Sequence, residues 1–187
     1  MERRIVSEHI HAAVVCSPHN PCGRVLERWE VERYMELMKK HGVYVVSDEI
    51  WSDITLAGNK HVPTQSVSED ARQRTVALYA PSKTFNLAGL VGSYHVIYNG
   101  WLRERVEKES SLAHYNEMNV LSMHALIGAY GEEGQEWLGE LLQVLTANAE
   151  LACGYIEQRF EGVSVFRPQG TYMLFIDCTR WCAAHGV

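Results

Sequence analysis

The sequence predicts an α/β fold, a mostly parallel sheet with flanking helices, and three observations predict it. Short apolar runs rich in β-branched residues occupy residues 11–16, 43–47 and 75–79, each of strand length. An amphipathic stretch over residues 28–41 separates the first two, so they form a β-α-β unit with parallel strands. Each run then breaks into a polar segment, and the carboxyl ends of strands are where open α/β sheets bind ligands.

The first run breaks into Ser17-Pro18-His19-Asn20-Pro21-Cys22-Gly23, where two prolines and a glycine exclude regular structure. Val31, Tyr34, Met35 and Met38 then recur at helical spacing with charges between them, and Gly42 supplies the stop. The second run ends in Asp48-Glu49-Ile50-Trp51, which puts Asp48 at a strand end. Residues 52–74 are polar, contain Gly58 and Pro63, and read as loop with one short helix. The third run leads to Tyr79-Ala80-Pro81-Ser82-Lys83-Thr84-Phe85-Asn86-Leu87-Ala88-Gly89, a lysine in a polar turn just beyond a strand. A further strand is expected over residues 92–98, and helices over 101–114, 116–130 and 134–160, with Gly131 and Gly134 separating the last two. Leu138, Leu141, Leu142 and Leu145 mark a core or interface face on the last helix. Residues 163–166 and 172–176, joined by Arg167-Pro168-Gln169-Gly170-Thr171, read as a strand pair that opens a second unit.

The composition excludes several function classes. With 187 residues, 47% hydrophobic and 21% charged, the chain can bury a sizeable core. A formal net charge of -6 without any lysine/arginine block argues against nucleic acid. No apolar run is long enough to span a bilayer, and the start lacks a signal-peptide core, so a cytoplasmic protein is expected. Five scattered cysteines fit reduced thiols and read as packing residues. Cys16, His19 and Cys22 have ligand-like spacing, but no second pair follows, and no metal site is expected. His9, His11, His95, His114 and His124 share no spacing and read as structural, and Tyr172 reads as core.

Three polar residues, Asn20, Asp48 and Lys83, share one kind of position, the carboxyl end of a strand. A lysine amine can condense with an aldehyde, a carboxylate can keep a pyridine nitrogen protonated, and an asparagine amide can donate to a phenolate oxygen. Together these are the needs of a pyridoxal 5'-phosphate site.

The loop at 17–23, Ser47-Asp48-Glu49-Ile50-Trp51 and Ala80-Pro81-Ser82-Lys83-Thr84-Phe85-Asn86-Leu87-Ala88-Gly89-Leu90 resemble, in that order, the motifs of fold-type I pyridoxal-phosphate-dependent aminotransferases. The branch they look like is that of the cystathionine β-lyases (MalY/PatB-type C-S lyases). Pro168-Gln169-Gly170-Thr171-Tyr172 is similar to a turn of the same branch. The resemblance implies that Lys83 carries the cofactor and moves the substrate Cα proton, with Asp48 on the pyridine nitrogen, Asn20 on the ring oxygen and Ser82 near the phosphate. It implies a small amino-acid substrate, α,β-elimination of cystathionine or a cysteine S-conjugate to thiol, pyruvate and ammonia, and a homodimer. An aminotransferase and a non-catalytic remnant are the alternatives.

The departures are Ala80 and Val91, where many aminotransferases have phosphate-binding serine and arginine, and Trp51, where they have tyrosine. Family members are also longer. The chain therefore resembles a central piece: residues 1–133 a partial cofactor-binding large domain, and residues 134–187 an interdomain helix and the start of a small α+β domain. With the main phosphate-binding segment and the substrate-carboxylate arginine outside these residues, weak or no activity is expected of this piece alone.

Overall fold

A computed structural model describes residues 1–114 and 117–187. Helix α1 (Glu2–Ser7) precedes strand β1 (Ala12–Cys16), and the loop after β1 contains cis peptide bonds at Ser17-Pro18 and Asn20-Pro21. Helix α2 (Arg28–Lys40) begins at a capping box in which the Glu27 and Glu30 carboxylates each accept from the other residue's backbone N–H. Such an exchange satisfies donors that a helix start otherwise leaves free. Arg24 fixes the box from outside, donating to both Glu30 oxygens at 2.8 and 2.7 Å.

Strand β2 (Tyr44–Asp48) leads through a 3-10 turn (Thr64–Ser66) to α3 (Glu69–Arg74), capped where the Ser68 hydroxyl accepts from Ala71 N. Then come β3 (Thr75–Tyr79), α4 (Pro81–Thr84) and β4 (Tyr94–Val96). The sheet order is β1-β2-β3-β4; the first three strands are parallel and β4 runs antiparallel to β3. Val31, Met35 and Met38 of α2 pack against Val43 and Val45, with Ile5 and Ala71 closing the core.

Helices α5 (Gly100–Leu112), α6 (Val120–Ala129) and α7 (Glu132–Arg159) follow. A hairpin of β5 (Ser164–Phe166) and β6 (Phe175–Asp177) and a final helix α8 (Thr179–His185) complete the chain. The α/β class and the parallel sheet agree with the sequence reading; several details differ. Lys83 lies on a one-turn helix rather than in a turn, because Pro81 at its first position presets a helical φ and has no N–H to lose. The helix expected over 116–130 is seen as α6, and its expected first residue, Asn116, lies outside the described residues. Gly134 sits inside α7 rather than before it, where a Cβ would collide with the Ala129 carbonyl of the preceding helix. The second hairpin strand starts at Phe175, since residues 171–173 are engaged with the segment after β2.

That engagement joins the two ends of the sequence. The Gly23 carbonyl accepts from Gln169 N and Gly170 N at 2.8 and 2.9 Å, and the Ile54 carbonyl accepts from Thr171 N at 2.9 Å. Leu56 N donates to the Gln169 carbonyl at 2.8 Å, and Val25 N donates to Gln169 Oε1 at 3.1 Å. A Cβ on Gly170 would lie 2.8 Å from the Ile54 carbonyl and 2.9 Å from Pro18 Cβ, so only glycine lets the three segments pass this closely.

Candidate active site

The registers of β1, β2 and β3 bring the three expected strand ends side by side: Cys16 pairs with Asp48, and Asp48 pairs with Leu78. Asn20 lies four residues beyond the end of β1, Asp48 is the last residue of β2, and Lys83 lies four residues beyond the end of β3. All three therefore leave the same carboxyl edge of adjacent parallel strands.

Two side chains lie beside these positions. The Cys16 thiol lies between the Asn20 backbone amide and the Asp48 carboxylate; burial, and then the nearby carboxylate, push the thiol up despite the amide. It is therefore a neutral S–H, and it donates to the Pro18 carbonyl at 3.4 Å within the loop that bears Asn20. On the other side, the buried Trp51 indole, three residues after Asp48, faces Lys83, whose Nζ is 6.0 Å from the ring centroid. Among the described residues Lys83 has neither a hydrogen bond nor an ion pair. Asp48 Oδ1 accepts from Ile50 N at 3.2 Å. Ser82 is half-buried beside Lys83, and its carbonyl accepts from Leu87 N at 3.0 Å.

The donor set fits pyridoxal phosphate chemically. An amine without a competing carboxylate, an acid at a neighbouring strand end and an asparagine in the adjoining loop are the groups an aldehyde-bearing pyridine requires. The short helix that bears the amine is itself anchored: Thr84 Oγ1 donates to Asp53 Oδ2 at 3.0 Å, and Thr84 is fully buried.

The strands' other face carries a second polar cluster that the sequence reading did not single out. Glu49 is fully buried, as are Val43, Val45 and Ser47 on the same side of the strand. Its carboxylate accepts from Ser47 Oγ, Thr64 N, His61 Nε2 and Tyr79 OH. Burial alone would raise its pKa, but donation from His61, Tyr79 and Thr64 outweighs this and holds the carboxyl below its ordinary range. The period of two in a strand was the available signal: Glu49 falls in step with three core positions.

Three expectations are corrected here. Tyr172 is 52% exposed rather than core, and its ring meets Trp51 edge-on at 4.6 Å. His9, His11, His95, His114 and His124 lie on the surface rather than in structural roles, whereas His61 is the histidine bound into the interior. The cysteines are not uniformly packed: Cys153 is buried, Cys178 is exposed, and the Cys22 thiol lies 3.1 Å from His19 Nδ1.

Comparison with known proteins follows the same lines. The model of the family "Aminotransferase class I and II" matches residues 2–184. The chain belongs to that family. Within it, the chain is 33% identical over 181 residues to cystathionine beta-lyase PatB of Bacillus subtilis, covering 97% of this chain and 46% of that protein. It is 32% identical over 165 residues to protein MalY of Escherichia coli, covering 88% of this chain and 41% of that protein. Among solved structures, the PLP-bound C-S lyase of Staphylococcus hominis superposes with a TM-score of 0.90 at 28% identity, over 100% of this chain and 46% of that one. Cystalysin of Treponema denticola, which contains pyridoxal 5'-phosphate, gives 0.89 at 29% identity, over 100% and 47%. The chain thus spans less than half the length of these relatives.

Proposed function

We propose that this chain carries the cofactor-facing portion of a pyridoxal 5'-phosphate-dependent C-S β-lyase, which cleaves cystathionine or another cysteine S-conjugate to thiol, pyruvate and ammonia. The observation that carries the reading is the shared carboxyl edge: three parallel strands in register end beside Asn20, Asp48 and Lys83. The similarity to cystathionine beta-lyases and C-S lyases points to this branch of the family.

In this reading the Lys83 amine holds the cofactor and, once released, takes the proton from the substrate Cα. The Asp48 carboxylate keeps the pyridine nitrogen protonated, the Asn20 amide donates to the ring oxygen, and the Ser82 hydroxyl donates toward the phosphate. When bound, pyridoxal phosphate supplies the electron sink that makes the Cα proton acidic and allows a thiolate to leave from Cβ. Residues 1–133 form the partial large domain and residues 134–187 the interdomain helix with the start of the small domain. Exposed Val120, Leu121 and Ile127 on α6 support a homodimer. The five free cysteines support a cytoplasmic setting, and no helix among the described residues is long and apolar enough to cross a membrane.

The aminotransferase reading is favoured by 26% identity over 186 residues to aspartate aminotransferase of Geobacillus stearothermophilus. The deciding experiment adds pyridoxal phosphate to the chain and to Lys83→Ala, reads the visible absorbance band of the lysine-bound cofactor, and then assays pyruvate release from cystathionine. A band only in the unsubstituted chain is expected, with weak or no pyruvate release from this piece alone. A band of equal size in Lys83→Ala overturns the site, and amino-group transfer without pyruvate overturns the lyase.

A further inference from the structure

We propose that Glu49 is a positioning residue of this site: its buried carboxylate ties the end of β2 to the end of β3 and so holds Asp48 and Lys83 in one fixed relation. The inference rests on the roles of Asp48 and Lys83 proposed above.

The ties come from three separate segments. Within β2, Ser47 Oγ donates to Glu49 Oε1 at 2.8 Å, and Ser47 Oγ in turn lies 2.8 Å from Thr64 Oγ1. From the loop after β2, Thr64 N donates to Oε1 at 2.9 Å and His61 Nε2 to Oε2 at 2.7 Å. From the end of β3, Tyr79 OH donates to Oε2 at 2.7 Å, and Glu49 N itself donates to the Leu78 carbonyl at 3.0 Å. Each carboxylate oxygen thus takes two donors, which fills its lone-pair sites. With an ionised acceptor, the imidazole must carry a proton on Nε2, and among the described residues its buried Nδ1 has no partner.

An apolar residue could fill the same space without this demand on four donors, and packing alone would hold the strands. A fully satisfied polar network does something different, because it accepts only one arrangement of its members. The members flank the site on both sides. Asp48 precedes Glu49 directly, and buried Ala80 and Pro81 connect Tyr79 to the turn of α4 that bears Lys83. Stacking of Tyr79 on Tyr94, with ring centroids 5.4 Å apart, leaves the phenol little freedom except to follow the carboxylate. The Asp53–Thr84 bond secures the far end of α4, whereas Glu49 secures its entry.

The test uses Glu49→Gln, which keeps the shape but turns one accepting oxygen into a donor facing other donors. The chain is treated with pyridoxal phosphate, reduced with borohydride, and the label is mapped over Lys39, Lys40, Lys60, Lys83 and Lys108. Labelling of Lys83 should fall about tenfold or more in Glu49→Gln, with the other four lysines unchanged. Val43→Ala, a core change outside the network, serves as the control for lost stability and should keep the Lys83 preference. Tyr79→Phe removes a single donor and should give a smaller fall, which keeps the test open if Glu49→Gln does not fold. An unchanged Lys83 share in Glu49→Gln and Tyr79→Phe overturns the proposal.

If the unsubstituted chain shows no preference for Lys83, it is the cofactor reading that fails, and amide exchange decides the network without cofactor. The Phe85 and Leu87 amides, bonded to the Pro81 and Ser82 carbonyls, should then exchange about tenfold faster in Glu49→Gln while α2 amides do not change. Uniform acceleration across the molecule, the mark of a merely structural residue, overturns it.

Discussion

Residues 1–97 and residues 98–187 are nearly equal in length, yet they bury their apolar side chains very differently. In the first region α2, β2 and α3 enclose a core of their own, centred on Met38, Val43 and Val45. In the second, α5 has no buried residue, every residue of β6 is exposed, and α7 buries Leu138 and Cys153. The second region is instead attached: Leu142, Leu145 and Ala149 of α7 pack on Trp51, Ile54 and Leu56, and the 168–172 turn is hydrogen-bonded between Gly23 and Ile54. The difference teaches that the candidate site lies where an independent core meets an attached one. Trp51, which faces Lys83, belongs to that seam.

The sharpest way to break this comparison is to truncate one apolar side chain in each region. Met38→Ala, at a position 0% exposed, should cost about 2–5 kcal/mol in chemical denaturation. Leu151→Ala on α7, 74% exposed, should stay within about 0.5 kcal/mol. Equal costs would mean that the second region shares the first region's core after all.

The seam comes next. In Gly170→Ala a Cβ would press on the Ile54 carbonyl and Pro18, at a cost of about 1–3 kcal/mol. Tryptophan fluorescence should change with it, because Tyr172 would leave Trp51. A stability loss with unchanged fluorescence would show that the turn does not govern the aromatic contact.

The smallest effects sharpen the contrast between the regions. Ser68 caps α3 in the first region and Asn99 caps α5 in the second, each accepting from a backbone N–H. Removing either cap with alanine should cost its helix about 1 kcal/mol. Ser68→Ala should lower the global unfolding midpoint, since α3 buries Ala71 in the core; Asn99→Ala should raise amide exchange within α5 and leave the midpoint in place. A global shift from both would place α5 inside the cooperative unit.

Much of this was legible in the residues. Strand-length runs of β-branched residues and the 3.6-residue spacing of Val31, Met35 and Met38 identify β1, α2, β2 and β3, because burial on a strand or helix imposes those periods locally. The strand-end placement of Asn20, Asp48 and Lys83 was legible for a related reason: each lies at or within four residues of the end of an apolar run, and parallel strands deliver such positions to one edge. The short helix expected within residues 52–74 is α3, but α1 and α8, each under eight residues, were not legible because they are too short for a periodic signal to stand out.

The sequence by itself determined the alternation of strand and helix, the family motifs and the strand-end residues, all of which depend on neighbours in the chain. Tertiary structure alone decided which polar residues are interior. Glu49 and Asp48 are adjacent acids in the sequence, but one is sealed beneath four donors and the other lies at the strand ends. The donors that make burial of Glu49 tolerable come from positions 61, 64 and 79 as well as its own strand, and a buried carboxylate is stable only when such distant groups converge on it. Tyr172 is the converse case: its place against Trp51 follows from a turn held by Gly23 and Ile54, more than a hundred residues earlier in the chain.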